Sequence, residues 1–348
     1  MSPEIINRLE LSTQLLIHEA RRRGVAVEIV DPEDNFLRLE RGGRVEYVKQ
    51  ATRTSADTYI SALIMENKEV TKRVLRDAGL PVPGGSAVGS LSEAAAAWPA
   101  FEGRSVVIKP RSTNFGQAVT ILHRARWEPD GREAVERAFA EDGVVLLEEF
   151  VSGPEYRFLV IGGEAIAVLH RIAANVTGDG VHTIRDLVEE KNRDPRRGAG
   201  YVKPLEKLRL DGVELAHLAA QGLSPDAVPA AGQTVYLREN SNISTGGDSL
   251  DLTDEVHAGY KEAAVRAAAA VGARICGADV IIPDIHAEPV PGSFSIIELN
   301  FNPALHIHAF PYKGANRRPE AHVLDLLGFR EAGEGEPSLS PADATATR

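Results

Sequence analysis

Apolar residues recur at helical spacing near the start of the chain. Ile5, Leu9, Leu16 and Ala20 share one face, Arg21 to Arg23 follow where the helix dipole favours cations, and Gly24 supplies a stop. One helix is predicted there. Val25 to Val30 reads as a buried strand, and Phe36 to Val48 as two strands turned at Gly42-Gly43, which completes a small α/β module. Helices are predicted over Ser55 to Ile64 and Glu69 to Ala78, the second closed by Gly79 and Pro81. The Pro-, Gly- and Ser-rich run from Pro81 to Ser90 reads as a linker.

Period-two alternation then takes over. Strands are predicted at Val106 to Ile108, Ala118 to Leu122, Val144 to Phe150, Tyr156 to Ile161 and Ala165 to Ile172, and the turn at Gly162-Gly163 implies antiparallel pairing. The stretch from Asn192 to Gln233 is irregular and long for a connection, which points to a functional segment. A helix from Glu255 to Val271, ended by Gly272, leads into strands Ile275 to Ile282 and Phe294 to Asn300. From Glu331 onward almost nothing is available to bury, and a disordered tail is expected.

Composition narrows the functional classes. The 348 residues, 43% hydrophobic and 26% charged, suit a folded enzyme-sized protein. With 39 basic against 50 acidic side chains the net charge of -11 repels a phosphate backbone, so nucleic acid is not an expected partner. No apolar run approaches the roughly 18 residues that span a bilayer. A single cysteine, Cys276, in an apolar strand, reads as a core residue, and an opening without basic and apolar blocks makes the cytoplasm the expected compartment.

Candidate chemistry gathers in a few places. In Ser295-Ile296-Ile297-Glu298-Leu299-Asn300, residues 298 and 300 project from one strand face, and hairpin-like pairing would bring Asp279 beside Glu298. Three hard oxygen donors would converge, suited to Mg2+. Lys109 ends a strand before a loop containing Ser112, Thr113, Asn114 and Gly116, whose backbone N–H groups suit a polyphosphate, although no Walker P-loop is present. Lys68 stands at a helix start, where a lysine gains nothing unless an anion is nearby. Glu148-Glu149-Phe150-Val151, with Glu155 following, forms an acidic hinge that can hold a nucleoside. His306 and His308 alternate like metal ligands without a third partner, so a structural or substrate-contacting role is expected. Lys313, Arg317 and Arg318 would bind substrate carboxylates or cap a loop.

Taken in order, these pieces resemble the ATP-grasp superfamily: a first lysine, a strand lysine before a loop, a Glu-Glu hinge with a trailing Glu, then Asp and Glu-x-Asn. Arg238-Glu239-Asn240-Ser241-Asn242-Ile243-Ser244-Thr245-Gly246-Gly247-Asp248-Ser249 looks like the ATP-grasp half of the bifunctional glutathione-synthesising enzymes. So do Tyr47 to Thr52, Met65 to Lys68, Lys109 to Gly116 and Phe301 to His308, and the likeness runs from about residue 7 to 329. The glutamate-cysteine ligase half of those enzymes has no counterpart here. Short runs, Asp194 to Gly198 and Gln221 to Leu223, also resemble cyanophycin synthetase, the nearest rival.

The resemblance implies an α+β ATP-grasp fold, with nucleotide held between two α+β subdomains behind a short α/β module. It implies a reduced leading module (1–64), a small lid-like subdomain (65–150), a larger subdomain (151–330) and the tail (331–348). It implies a carboxylate–amine ligase that activates γ-glutamylcysteine as an acyl phosphate and joins it to glycine. Lys68 and Lys109 would contact ATP phosphates, the loop from Arg111 to Gln117 would close over them, and Glu148, Glu149, Val151 and Glu155 would hold adenine and ribose. Asp279, Glu298 and Asn300 would bind two Mg2+ ions, for which Mn2+ would substitute. Arg238, Asn240, Gly246 and Gly247 would serve the tetrahedral oxyanion. A homodimer is a candidate assembly.

Overall fold

The computed structural model describes residues 3–112, 118–200 and 203–331. The first predicted helix is two pieces, a single turn at Pro3–Ile6 and then α1 (Leu11–Arg22). The chain breaks between them because the Glu10 N–H is taken by Asn35 Oδ1 at 2.8 Å, which leaves Leu9 fully buried beneath the turn. β1 (Ala26–Asp31), β2 (Phe36–Arg41) and β3 (Arg44–Lys49) form an antiparallel sheet whose Arg41↔Arg44 register leaves Gly42 and Gly43 as a two-residue turn. Both have positive φ, +59° and +83°, as a primed hairpin turn requires. β1 is an exposed edge rather than the buried strand expected from its valines, since α1 covers one sheet face over Leu37 and Leu39.

Thr58 caps α2 (Tyr59–Glu66), which therefore starts four residues later than its apolar pattern suggests. Asn67 Oδ1 caps α3 (Lys68–Asp77) by accepting from the N–H groups of Glu69 and Val70, both at 3.2 Å. The run read as a linker contains a strand, β4 (Gly85–Val88). A Cβ on Gly85 would stand 2.3 Å from the Leu147 carbonyl oxygen, so the glycine permits close strand approach.

α4 (Leu91–Ala97) precedes β5 (Val106–Pro110), β6 (Thr120–Leu122), α5 (Arg132–Phe139) and β7 (Val145–Glu149). The smaller sheet has the order β4-β7-β5-β6, and its Val106, Ile108, Val145 and Leu147 pack under α4 and α5 with Trp98. Alternation turns Lys109 and Glu148 to the opposite face.

β8 (Glu155–Ile161) and β9 (Glu164–Ile172) begin the larger sheet. Next comes an insert holding β10 (Asn175–Thr177), α6 (Ile184–Lys191), α7 (Gly212–Ala220) and β11 (Thr234–Tyr236), with its own core of Val176, Ile184, Leu218 and Val235. Part of the stretch read as irregular is thus ordered, and a capping box at Asp211 and Glu214 starts α7. Asp248 anchors the insert, accepting from Lys191 Nζ at 2.6 Å and from the fully buried Arg197.

β12 (Asp248–Asp251), α8 (Ala258–Ala270), β13 (Ile275–Ile281), β14 (Ser295–Asn300) and α9 (Pro319–Leu326) complete the chain. The five-stranded sheet runs β12-β9-β8-β13-β14, antiparallel throughout. Phe158, Val160, Cys276 and Ala278 pack on α8 and α3, while Leu159, Ile161 and Ile275 face α1 and α9. Cys276 is a core residue, its thiol pushed up to about 12 by burial.

Candidate active site

A cavity of about 790 Å³ opens between the two sheets. Its deepest charge is Asp279 of β13, 2% exposed. Asp279 and Glu298 are register partners on neighbouring strands, and Asn300 donates its amide N–H to Asp279 Oδ2 at 3.3 Å. The three predicted oxygen donors therefore lie on one face. Lys68 at the start of α3 reaches Glu298, with Nζ 3.4 Å from Oε1.

Two arginines absent from the sequence reading complete the cluster. Arg157 of β8 grips Asp279 with Nε and Nη2, the latter at 2.9 Å, and Arg171 of β9 reaches both Asp279, at 3.2 Å, and Glu155. Each is the one Lys or Arg of a mostly apolar strand, a signal visible in sequence. Which carboxylates they meet depends on strand register, which is not. Glu155 also accepts from Ser241 Oγ at 2.6 Å, which ties the hinge to the insert's returning loop.

On the smaller sheet, Lys109 Nζ lies 3.0 Å from Glu148 Oε2, and Lys72 of α3 pairs with Glu148 Oε1. Burial, reinforced by the neighbouring Lys109, brings the Lys72 pKa down to about 8. Burial alone would raise that of Glu148, but the two lysines hold it below the ordinary value. Val151 lines the cavity as well, and so does Glu149, whose carboxylate accepts from Arg104 at 2.9 Å.

Other predicted residues lie elsewhere. Arg238 is paired with Glu214 of the α7 capping box and does not line the cavity, and Gly246 and Gly247 do not either. The Gly246 carbonyl accepts from Arg197, and a Cβ at Gly247 would stand 2.7 Å from the Ile172 carbonyl oxygen. The three buttress the loop that carries Asn240 to the cavity, where its Oδ1 accepts from Thr245 Oγ1 at 3.1 Å. The Ser112 N–H donates to Asp142 at 2.8 Å outside the cavity, and Thr113, Asn114 and Gly116 lie outside the described residues.

In the cationic cluster after β14, the Lys313 carbonyl accepts from the Asp251 N–H at 2.9 Å while its side chain is exposed. Arg317 pairs with Asp251 and Asp254, and Arg318 with Glu19. Asn302, not singled out from sequence, accepts from Thr52 Oγ1 at 2.7 Å and donates to Gln50 at 3.1 Å, tying the N-terminal module to the loop after β14. His306 lines the cavity and meets Ser12 Oγ at 3.0 Å, and burial lowers its pKa to about 4.

The arrangement has relatives among known proteins. A family model for an ATP-grasp-like domain matches residues 7–60. The crystal structure of a bifunctional glutathione synthetase from Pasteurella multocida superposes with a TM-score of 0.74 at 48% identity, covering 93% of this chain and 44% of that one. The chain adopts the ATP-grasp fold. It is also 53% identical over 319 residues to the glutathione biosynthesis bifunctional protein GshAB of Clostridium perfringens, which covers 92% of this chain and 41% of that protein. The protein of the same name from Desulfotalea psychrophila is 51% identical over 329 residues, 94% of this chain and 42% of its own. This chain thus spans about two fifths of the curated relatives it matches. The cavity is lined by residues of both sheets.

Proposed function

We propose that this chain is an ATP-dependent carboxylate–amine ligase that joins γ-glutamylcysteine to glycine through an acyl phosphate, giving glutathione, ADP and phosphate. One observation carries the reading: Asp279, Glu298 and Asn300 share a face beside Lys68 in a cavity lined from both sheets. Kinship with proteins named for glutathione biosynthesis supplies the substrates.

Two carboxylates and an amide, which presents its oxygen once turned over, suit Mg2+, a hard cation that keeps several water ligands. Among the described residues no group of three or more His, Cys, Asp or Glu side chains forms a closed metal cage. Asp279, Glu298 and Asn300 would hold the cation, which would supply charge screening for the phosphates, two ions being expected and Mn2+ able to replace them. Lys109 from the smaller sheet and Lys68 from α3, where it meets Glu298 of the larger sheet, would bring positive charge to the phosphates. Glu155, held by Arg171 and Ser241, would accept the ribose hydroxyls, and the backbone at Val151 would read adenine. Arg157 and Arg171 neutralise Asp279 and Glu155 in this structure and would be the guanidinium groups at hand for phosphate or oxyanion oxygens. Asn240 provides an amide on the insert side. Closing this cleft would exclude water, which otherwise hydrolyses an acyl phosphate.

The test is phosphate release with ATP, Mg2+, γ-glutamylcysteine and glycine, set against an aspartate-containing peptide and a panel of amino acids. Turnover confined to the first pair is expected, and turnover only with aspartate substrates would transfer the assignment to cyanophycin-type chemistry. EDTA should abolish the activity and Mg2+ or Mn2+ restore it. No helix among the described residues is long and apolar enough to cross a membrane. A cytoplasmic, homodimeric enzyme is part of the proposal, and light scattering of the purified chain tests the dimer.

A further inference from the structure

Lys72 stands one helical turn after Lys68 on α3, so both side chains leave the helix on the same side. They part company there: Lys68 goes to Glu298 on β14 of the larger sheet, and Lys72 to Glu148 on β7 of the smaller one. Glu148 is 5% exposed and Lys72 8% exposed. The second carboxylate oxygen of Glu148 is engaged by Lys109, and of the two lysines on Glu148 it is Lys109 that lines the cavity while Lys72 sits beneath it.

A carboxylate this deeply buried is not tolerated as a lone anion. Were Lys109 the sole partner of Glu148, a phosphate could recruit Lys109 only by stripping Glu148 of its counter-ion. A second lysine removes that conflict. The cluster instead carries one surplus positive charge; burial, and after it the repulsion of the Lys109 ammonium, bring the Lys72 pKa down to about 8. An anion that draws Lys109 outward relieves the repulsion and leaves a neutral Lys72–Glu148 pair behind. Both Glu148 oxygens are already engaged, so its carboxylate is set as a counter-ion rather than as a reader of adenine.

We infer that Lys72 is a positioning residue: it is the standing counter-ion of Glu148, and it thereby releases Lys109 to the phosphates of the nucleotide. This role presupposes the nucleotide site proposed above.

The experiment is calorimetric titration of the full chain with a non-hydrolysable ATP analogue and Mg2+, with melting temperatures recorded alongside. The proteins are wild type, Lys72→Met, Lys72→Arg, Glu148→Gln and the double variant Lys72→Met/Glu148→Gln. Lys72→Met should weaken binding at least tenfold, because Lys109 is then held by the carboxylate, and Lys72→Arg should stay within about threefold of wild type. The double variant should bind as Glu148→Gln does, since without the anion Lys72 has nothing to compensate. Unchanged affinity in Lys72→Met, or a double variant that shows the product of the two single losses, overturns the role. If Lys72→Met does not fold, the double variant, which leaves no buried carboxylate short of a partner, is compared with Glu148→Gln alone: equal affinities support the role and a further tenfold loss overturns it. Wild-type chain that binds no analogue would overturn the nucleotide site and this role together, whereas wild-type binding with indifferent Lys72 variants overturns this role only.

Discussion

Lys68 Nζ lies 3.4 Å from Glu298 Oε1, so the first residue of a helix meets the strand bearing two of the candidate metal ligands. A lysine at a helix N-terminus faces an unfavourable dipole, and this carboxylate offsets it.

Replacing Glu298 with Gln keeps the shape and removes the charge. Turnover should fall at least about 100-fold, as expected when a charge-stabilising group is lost from a phosphoryl-transfer site. The melting temperature should stay within a few degrees of wild type. Steady-state phosphate release beside a thermal melt checks both, and retained activity would remove Glu298 from the metal set.

Arg157 and Asp279 form a pair that is nearly closed to solvent, with Arg171 as a second cation. Arg157→Ala leaves Asp279 short of one guanidinium and should cost on the order of 3 kcal/mol in urea denaturation. Arg157→Met combined with Asp279→Asn should recover most of that loss while remaining inactive, which separates folding from chemistry.

Acid should weaken the fold before most carboxylates titrate. Burial lowers the pKa of His306 to about 4 and, with the Arg157 charge nearby, that of His308 to about 3. Both are neutral when folded, while the unfolded chain takes up protons below about 6.5. Stability is therefore full above that value and falls as pH drops toward 4, by up to about 1.4 kcal/mol per pH unit for each histidine. Exposed His182, raised by Asp179, works weakly in the other direction. Urea midpoints between pH 7 and 5 should decline, and His308→Gln should show about half the decline. A flat profile in wild type would contradict the burial of both rings.

Asp248 is the point on which the insert turns. Asp248→Ala leaves Lys191 and Arg197 without their carboxylate and should destabilise the insert by about 3–5 kcal/mol. Limited proteolysis should then cut first between residues 175 and 242, with the five-stranded sheet still protected. Uniform cleavage across the chain would show that the insert does not open independently.

The strand-face argument that placed Glu298 with Asn300, and then Asp279, was legible because side-chain direction in a strand is local information. Lys72 was equally legible, four residues after Lys68, but its partner on another sheet was not. Arg238 shows the reverse failure. Lying beside a recognisable motif it looked chemical, yet Glu214, which claims it, is 24 residues away and was readable only as a helix-capping residue once α7 was known. The break before α1 was hidden for the same reason, since Asn35, which takes the Glu10 N–H, comes from a later turn. β4 was hidden because a glycine that allows strands to touch is indistinguishable, in sequence, from one that loosens a linker.

The grip of Asn302 on Thr52 and Gln50 bears on how this protein can be cut and recombined. A shortened version beginning at Met65 would keep each proposed ATP and cation residue, yet the bend just past Asn300 would lose its outer fastening. Swapping the leading sixty residues for those of a relative is the safer edit, provided the threonine and glutamine travel with them.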